Sequence, residues 1–504
     1  MRCPSALAFA LLLIALPLAC RAADPPQNVR VRLDAYMQVE AKLQHFMGTI
    51  LVARGGHVIL AKGYGEANIA TGVPNTPTTE FRIGSVTKQF TAMGILMLAA
   101  ERKLKLTDPV CKYVTGCPAD WRHITINELL THTSGIPDYL DTLGPEALMK
   151  LMATPSTPAQ LVALFEHKPL EFKPGAKFSY SNSGYVLLGA ILERVSGEPY
   201  GEFLQRHIFT PLGMTHSAYA MRATRGKNLA QGYRYAGGYR PSAPVNLTGV
   251  FSAGGIRSTV LDLYAWDRAL DADHGRLVPR ALLEKMFAPH VVVGASVLTR
   301  MQDATGAEHY GYGWFIRRQF GHLEYAHEGG LPGFTSLNSW FPGQHMYVIV
   351  LDNTQSPDIF RIGGTLDAIA FGKPYTIPRP FKAIKLPASA LEPFVGTYQI
   401  APRRFITITR KDDQLSAQMT GQPVFLIYPE SATHFFLKVV RAQLFFETDA
   451  SGKATGVTLR QGGVTIHGKR LSAAEAKAVH ATPKVVKLAP DALREFVGTY
   501  RAAM

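Results

Sequence analysis

The sequence predicts an α/β domain followed by a small all-β module, on three observations. Strand-like runs near the N-terminus and again over residues 323–352 bracket a middle rich in helical patterns. That order builds one sheet from both chain ends, with helices packed on it and a helical insert. A Pro- and Lys-rich stretch, KPYTIPRPFKAIKL at 373–386, then breaks the pattern and reads as a linker. Beyond it come short runs such as TYQI, FITITRKDDQLSAQM, PVFLIYP and HFFLKVV, separated by turn residues, as in a small barrel or sandwich. At 504 residues, 47% of them hydrophobic, the chain is long enough for two or three domains with large cores.

The elements follow in order. Arg2 precedes the apolar stretch ALAFALLLIALPLA, and Cys20 and Ala22 are small residues placed for a cut after Ala22. Residues 1–22 therefore read as a signal peptide, too short to span a bilayer, and the mature protein as exported, periplasmic or secreted. PLAC also reads as a lipoprotein signal with Cys20 as a lipidated N-terminus, the second reading. No later stretch is apolar enough for a transmembrane helix. AYMQVEAKLQHF (35–46) has a helical rhythm, and GTILVAR, Gly55–Gly56 and HVILAKGYG form a hairpin. From Ser85 to Lys103, Val86, Phe90, Met93, Met97 and Ala100 recur at helical spacing in a segment apolar on nearly every side, which predicts a buried helix. GYVLLGAILERVSG (184–197) predicts a second, stopped by Gly197. LEYA, FTSLNSWF and MYVIVLD are the later strands, closing a first domain over residues 30–372. The all-β module occupies 387–484. ALEPFVGTY (390–398) returns as ALREFVGTY (492–500), so residues 488–504 start a second β repeat or supply a closing strand.

The formal charge is +15, and residues 373–504 hold 19 basic against 9 acidic side chains. For an exported chain this excess favours an anionic envelope polymer or lipid headgroup over nucleic acid as a partner, and equally fits a solvated basic surface with no partner. Beside Cys3 and Cys20 the chain has Cys111 and Cys117, six apart; in an oxidising compartment they form a small-loop disulfide, and without a matching Cys/His pair they argue for no metal. No cofactor is implied.

The chemistry centres on FRIGSVTKQFT (81–91). A serine hydroxyl needs an adjacent base to attack at neutral pH, and residues three apart share a helix face. Lys88 therefore reaches Ser85, and in an apolar helix its amine is desolvated toward the neutral, proton-accepting form. A free N–H at the helix start offers an oxyanion donor. This is the chain's single S-x-x-K. In FSYSNSGY (178–185), Tyr180 and Asn182 alternate around Ser181 and point the same way in an extended loop. A phenol beside a lysine cation is expected to have its pKa lowered and to serve as acid or base; the plain alternative is a turn before a helix. In HEGGLPGF (327–334), consecutive glycines admit a ligand to the backbone, and Gly330 N–H is a second oxyanion donor; the plain alternative is a hairpin turn. His132 in THTSG reads as structural, Asp108 as a turn cap, and Trp314 and Phe334 as core residues.

In this order the three pieces resemble the serine β-lactamase and penicillin-binding-protein superfamily, in its class C, esterase and D-peptidase branch. Ser85 and Lys88 match S-x-x-K, Tyr180 and Asn182 match Y-x-N, and His327 and Gly329 match the third box. LLTHTSGIPDY, PLGM, AGGIRST and GYGW match the surroundings over about residues 30–370. The resemblance implies an α-β-α sandwich with an antiparallel sheet plus an all-helical subdomain, and a lipocalin-like barrel after it. It implies an acyl-enzyme on Ser85, with Lys88 and Tyr180 moving protons and with Asn182, His327, Gly329 and Gly330 binding substrate. The substrate is a small molecule or short peptide with an ester, D-amino-acid peptide or β-lactam carbonyl. A histidine replaces the lysine that opens many third boxes, which favours esters and D-peptides over penicillins. Glu328 either raises the imidazole pKa or, as the preferred reading, faces solvent. A penicillin- or wall-peptide-binding receptor that does not turn over is the alternative function.

Overall fold

In the computed structural model the described residues are 26–479, apart from 220–227, 236–237, 272–275, 294–303, 357, 441 and 462–463. The signal segment and the second copy of the nonapeptide lie outside them.

The first helix, α1 (Pro26–Lys42), begins nine residues before the expected rhythm. Val29, Leu33, Tyr36, Met37 and Glu40 make one buried stripe along it, and Gln44 turns the chain away at a positive φ of 58°. The hairpin follows as β1 (Gly48–Arg54) and β2 (His57–Tyr64). Helix α2 (Thr87–Ala100) is buried on nearly all sides. Helix α3 (Asn182–Ser196) ends where Gly197 adopts a left-handed φ of 76° and its N–H bonds Glu193 O. After α4 (Val260–Asp271) come β3 (Val291–Val292), β4 (Ala304–Tyr310), β5 (Phe315–Gln319), β6 (His322–Leu331), β7 (Phe334–Phe341), β8 (Met346–Asp352) and α5 (Ile359–Ala370).

One antiparallel sheet runs in the order β3-β4-β5-β6-β7-β8-β1-β2. The two chain ends meet in its middle, where Gly48 pairs with Asp352 and Arg54 with Met346. Helices α1 and α5 cover one face; α2, α4 and the helical insert cover the other. Strand alternation divides the core accordingly: Ile50, Val52, Val348 and Val350 face α1 and α5, while Leu51, Ala53, Ile349 and Leu351 face the helical side. Cys111 and Cys117 are bonded, at the edge of the helical core.

The C-terminal module is a closed eight-stranded antiparallel barrel: β9 (Gly396–Ala401), β10 (Arg404–Lys411), β11 (Gln414–Met419), β12 (Val424–Pro429), β13 (His434–Leu437), β14 (Ala442–Thr448), β15 (Ala454–Gln461) and β16 (Val464–Arg470). The ring closes where Tyr398 pairs with Arg470, so closure needs no strand beyond β16. Phe394, Tyr398, Phe435 and Phe446 fill its interior. The linker lies on the barrel: Ile384 N–H bonds Pro429 O, and Phe381 stacks on Phe436 at 4.9 Å.

Candidate active site

Ser85 stands on a single 3₁₀ turn, Gly84–Val86, that leads into α2. The first N–H groups of such a turn have no partner within the helix and point out of its end. Gly84 has a φ of 51°, and a Cβ on it would lie 2.8 Å from Gly330 N and 3.1 Å from Gly329 C. A side chain there would push the serine off the strand. Gly329 is equally constrained, since its Cβ would sit 2.0 Å from Ile83 O. In front of Gly330 nothing lies within 4 Å. The strand is open there because β5 pairs with β6 only as far as Ala326, which leaves residues 327–331 as an edge facing the serine turn. The hydroxyl, two outward N–H groups and an open space are thus assembled from segments about 245 residues apart.

Lys88 is fully buried and its Nζ has three neighbours: Ser85 Oγ at 3.0 Å, Asn182 Oδ1 at 2.8 Å and Ala253 O at 2.9 Å. Burial holds the amine down to about 7, against partial opposition from the fields of Asp138 and Glu328. Asn182 is oriented by Asp138, whose Oδ2 accepts from its backbone N–H at 2.9 Å and its Nδ2 at 2.7 Å. Oδ1 must then face the lysine. Two of the three neighbours are therefore pure acceptors, and a neutral amine has two N–H bonds for them. Its lone pair is left for the Ser85 hydroxyl, which is the arrangement of a general base.

Tyr180 lies on the other side of the lysine, its ring centre 4.7 Å from Nζ, and its phenol interacts with the Ser85 hydroxyl. The expected lowering of its pKa is not found: burial pushes the phenol well above its ordinary value, with the Ser85 hydroxyl opposing. Desolvation outweighs the bond to Ser85, the carboxylates of Glu328 and Asp138 push the same way, and the phenol stays protonated. His132, with a φ of 56°, fixes this tyrosine from behind. Its Nδ1 accepts from Ser181 N–H at 3.1 Å, and its ring packs on Tyr180, Tyr185 and Tyr310 at 4.3, 5.0 and 4.8 Å. Burial holds it neutral.

His327 is buried rather than open to the cleft. Nδ1 lies 2.7 Å from Glu328 O and so carries the proton; Nε2 accepts from Tyr310 Oη at 3.0 Å. Burial and the lysine hold the ring down to about 3, so at neutral pH it carries no charge. The upward pull on the ring comes from the Glu328 backbone carbonyl and not from its carboxyl, and the Glu328 side chain is partly buried rather than facing solvent. Strand alternation puts Glu328 on the opposite face of the sheet, across from Leu337, and burial lifts its carboxyl to about 7 against the pull of Arg317. Trp314 and Phe334 are core residues, and Asp108 caps a turn by accepting from Lys105 N–H. Asp138, Ala253 O and Tyr310 are absent from the sequence reading; each meets the motif residues only through long-range packing. No group of His, Cys, Asp and Glu among the described residues could hold a metal ion.

The family model described as Beta-lactamase matches residues 38–370, and one described as a domain of unknown function (DUF3471) matches 381–473. A penicillin-binding protein of Bacillus subtilis (strain 168) is 28% identical over 442 residues, covering 83% of this chain and 94% of its own. The octameric penicillin-binding protein homologue from Pyrococcus abyssi superposes with a TM-score of 0.62 at 27% identity, over 87% of this chain and 99% of that one. A D-stereospecific amidohydrolase from Streptomyces sp. does so at 0.54 and 26%, over 66% and 95%.

Proposed function

The chain belongs to the beta-lactamase family, and from that premise we propose an exported serine hydrolase that works through an acyl-enzyme on esters and D-amino-acid amides or peptides. The observation that carries the proposal is the buried Lys88 Nζ, 3.0 Å from Ser85 Oγ and held there by two neighbours that can only accept, Asn182 Oδ1 and Ala253 O. As Ser85 Oγ attacks a carbonyl, its proton passes to the Lys88 amine. The ammonium so formed lies over the faces of Tyr180 and Tyr185, which stabilise it. The N–H groups of Ser85 and Gly330 receive the oxyanion. Tyr180, still protonated, gives its proton to the leaving group, and the ammonium restores it. Water then enters where the leaving group was, loses a proton along the same route, and releases the acyl group from Ser85.

The substrate choice rests on His327. A buried neutral ring bonded to Tyr310 supplies no fixed cation for a carboxylate, which disfavours penicillins. The relative named as a D-stereospecific amidohydrolase supports the D-amino-acid reading. The test compares a short-chain nitrophenyl ester, a D-Ala anilide and a chromogenic cephalosporin. Many turnovers per enzyme are expected on the first two and slow turnover on the third. A burst of one equivalent and then arrest on all three would instead establish a stalled receptor. A fluorophosphonate should label wild type on Ser85 and leave Ser85→Ala unlabelled. We also propose that the basic C-terminal region holds an anionic envelope polymer; retention on such a polymer should be lost when residues 373–504 are removed.

A further inference from the structure

Between the barrel and the first domain lies a cavity of about 520 Å³, in the range of small-molecule sites, which favour domain junctions. It contains none of the site residues above. Its walls come from the loop after α1, the loop after β8, the 234–235 segment, the linker and the β13 end of the barrel. The apolar lining includes Tyr235, Phe381, Phe436, Leu437, Val439 and Val440. The charged lining is unbalanced. Arg379 pairs with Glu430, His45 with Glu40 and Asp358 with Arg361. Arg234 and Lys438 are exposed and have no carboxylate partner among the described residues; Lys438 rests only on the Tyr428 ring, 3.8 Å from its centre.

Two uncompensated cations beside an aromatic and aliphatic wall fit one ligand chemistry. We infer that this cavity binds an amphipathic anion, an alkyl or acyl chain bearing a carboxylate or phosphate. The chain lies along Phe381, Phe436 and Val440, and the head group meets Arg234 and Lys438. Neither half of the wall exists without the other domain, so the site belongs to the full chain. The occupant also bears on Gln355 and Ser356. Gln355 Oε1 accepts from Gly333 N–H at 3.1 Å, and Ser356 O accepts from Thr335 Oγ1 at 3.4 Å. Those bonds brace the hairpin turn three residues beyond Gly330.

The test is calorimetric titration of the full chain with octanoate, octyl phosphate, octanol and inorganic phosphate. Both amphipathic anions are expected to bind at one equivalent, with the tighter of the two identifying the head group; octanol and inorganic phosphate should bind at least tenfold more weakly. Charge reversal in the double variant Arg234→Glu/Lys438→Glu should weaken the anions at least tenfold and leave ester turnover unchanged. Octanol binding as tightly as octanoate, or undiminished affinity after charge reversal, would overturn the inference. If circular dichroism shows the double variant unfolded, Arg234→Gln/Lys438→Gln replaces it, with a fivefold or greater loss expected and unchanged affinity again decisive.

Discussion

The two domains solve the problem of an interior in opposite ways. The barrel keeps polar groups out: among the described residues, its buried polar side chains are Thr397 and Thr458, and aliphatic side chains with a few aromatic rings fill the rest. The sheet domain instead buries Lys88, His132, Asp138, Glu324 and His327 within or beside its largest apolar core. Burying such groups is costly unless each is bonded, and around Ser85 each is bonded to a specific partner. The contrast teaches where the chain spends stability for chemistry. The barrel is built to be filled; the cleft is built to hold a lysine whose burial eases the loss of its proton.

The sharpest way to break this contrast is Ser85→Ala, expected to lower kcat/KM on a nitrophenyl ester by about 10⁴-fold or more while the circular dichroism spectrum stays unchanged. Next is Lys88→Met, which keeps the apolar stem and removes the base; a loss of about 10³- to 10⁴-fold is expected in the same assay. The pH profile sharpens the assignment. Because burial lowers the Lys88 pKa to about 7, the amine gains a proton below that pH. kcat/KM should then fall tenfold per pH unit on the acid side and level off above it. A profile flat down to pH 5 would exclude the neutral lysine. His132→Phe keeps the ring stack but removes the acceptor for Ser181 N–H. It should cost about 10- to 100-fold in kcat through displacement of Tyr180, with little change in KM. The smallest effect on turnover belongs to the other domain. Phe435→Ala should lower the stability of the barrel by about 3–5 kcal/mol in a denaturant titration and change ester turnover less than about twofold.

How much of this was legible in the sequence depended on reach along the chain. Ser85 and Lys88 are three residues apart, so helical geometry alone brings them together. Tyr180 and Asn182 share a side by alternation, and Cys111 and Cys117 sit at loop-closing distance. The β module announced itself through its turns. What could not be read was set by distant neighbours. Asp138, which aims the Asn182 amide, lies 44 residues before it in the chain. Ala253 O carries no side-chain signal at all. Glu328 was assigned to solvent because a sequence does not say which face of a strand is covered; α5 and Arg317 cover this one. The charge state of Tyr180 went astray for one reason: spacing shows which groups are near, and burial, which decides their protonation, is a property of the packed domain. The start of α1 was missed because V-R-V-R-L at 29–33 alternates with a period of two, and the apolar Val31 between the buried Val29 and Leu33 lies on the exposed side.

The pairing of β1 with β8 has a consequence for synthesis. On the ribosome, β1 emerges with only β2 to bond, and its other flank waits for Met346–Asp352. At about 5–20 residues per second, that wait lasts roughly 15 to 60 s. Throughout it the run GTILVAR presents an open apolar edge, the kind that pairs with neighbouring chains. A nascent chain of this protein must be kept apart from its copies until its last sheet strand is made, and any fragment ending before Met346 keeps that edge permanently.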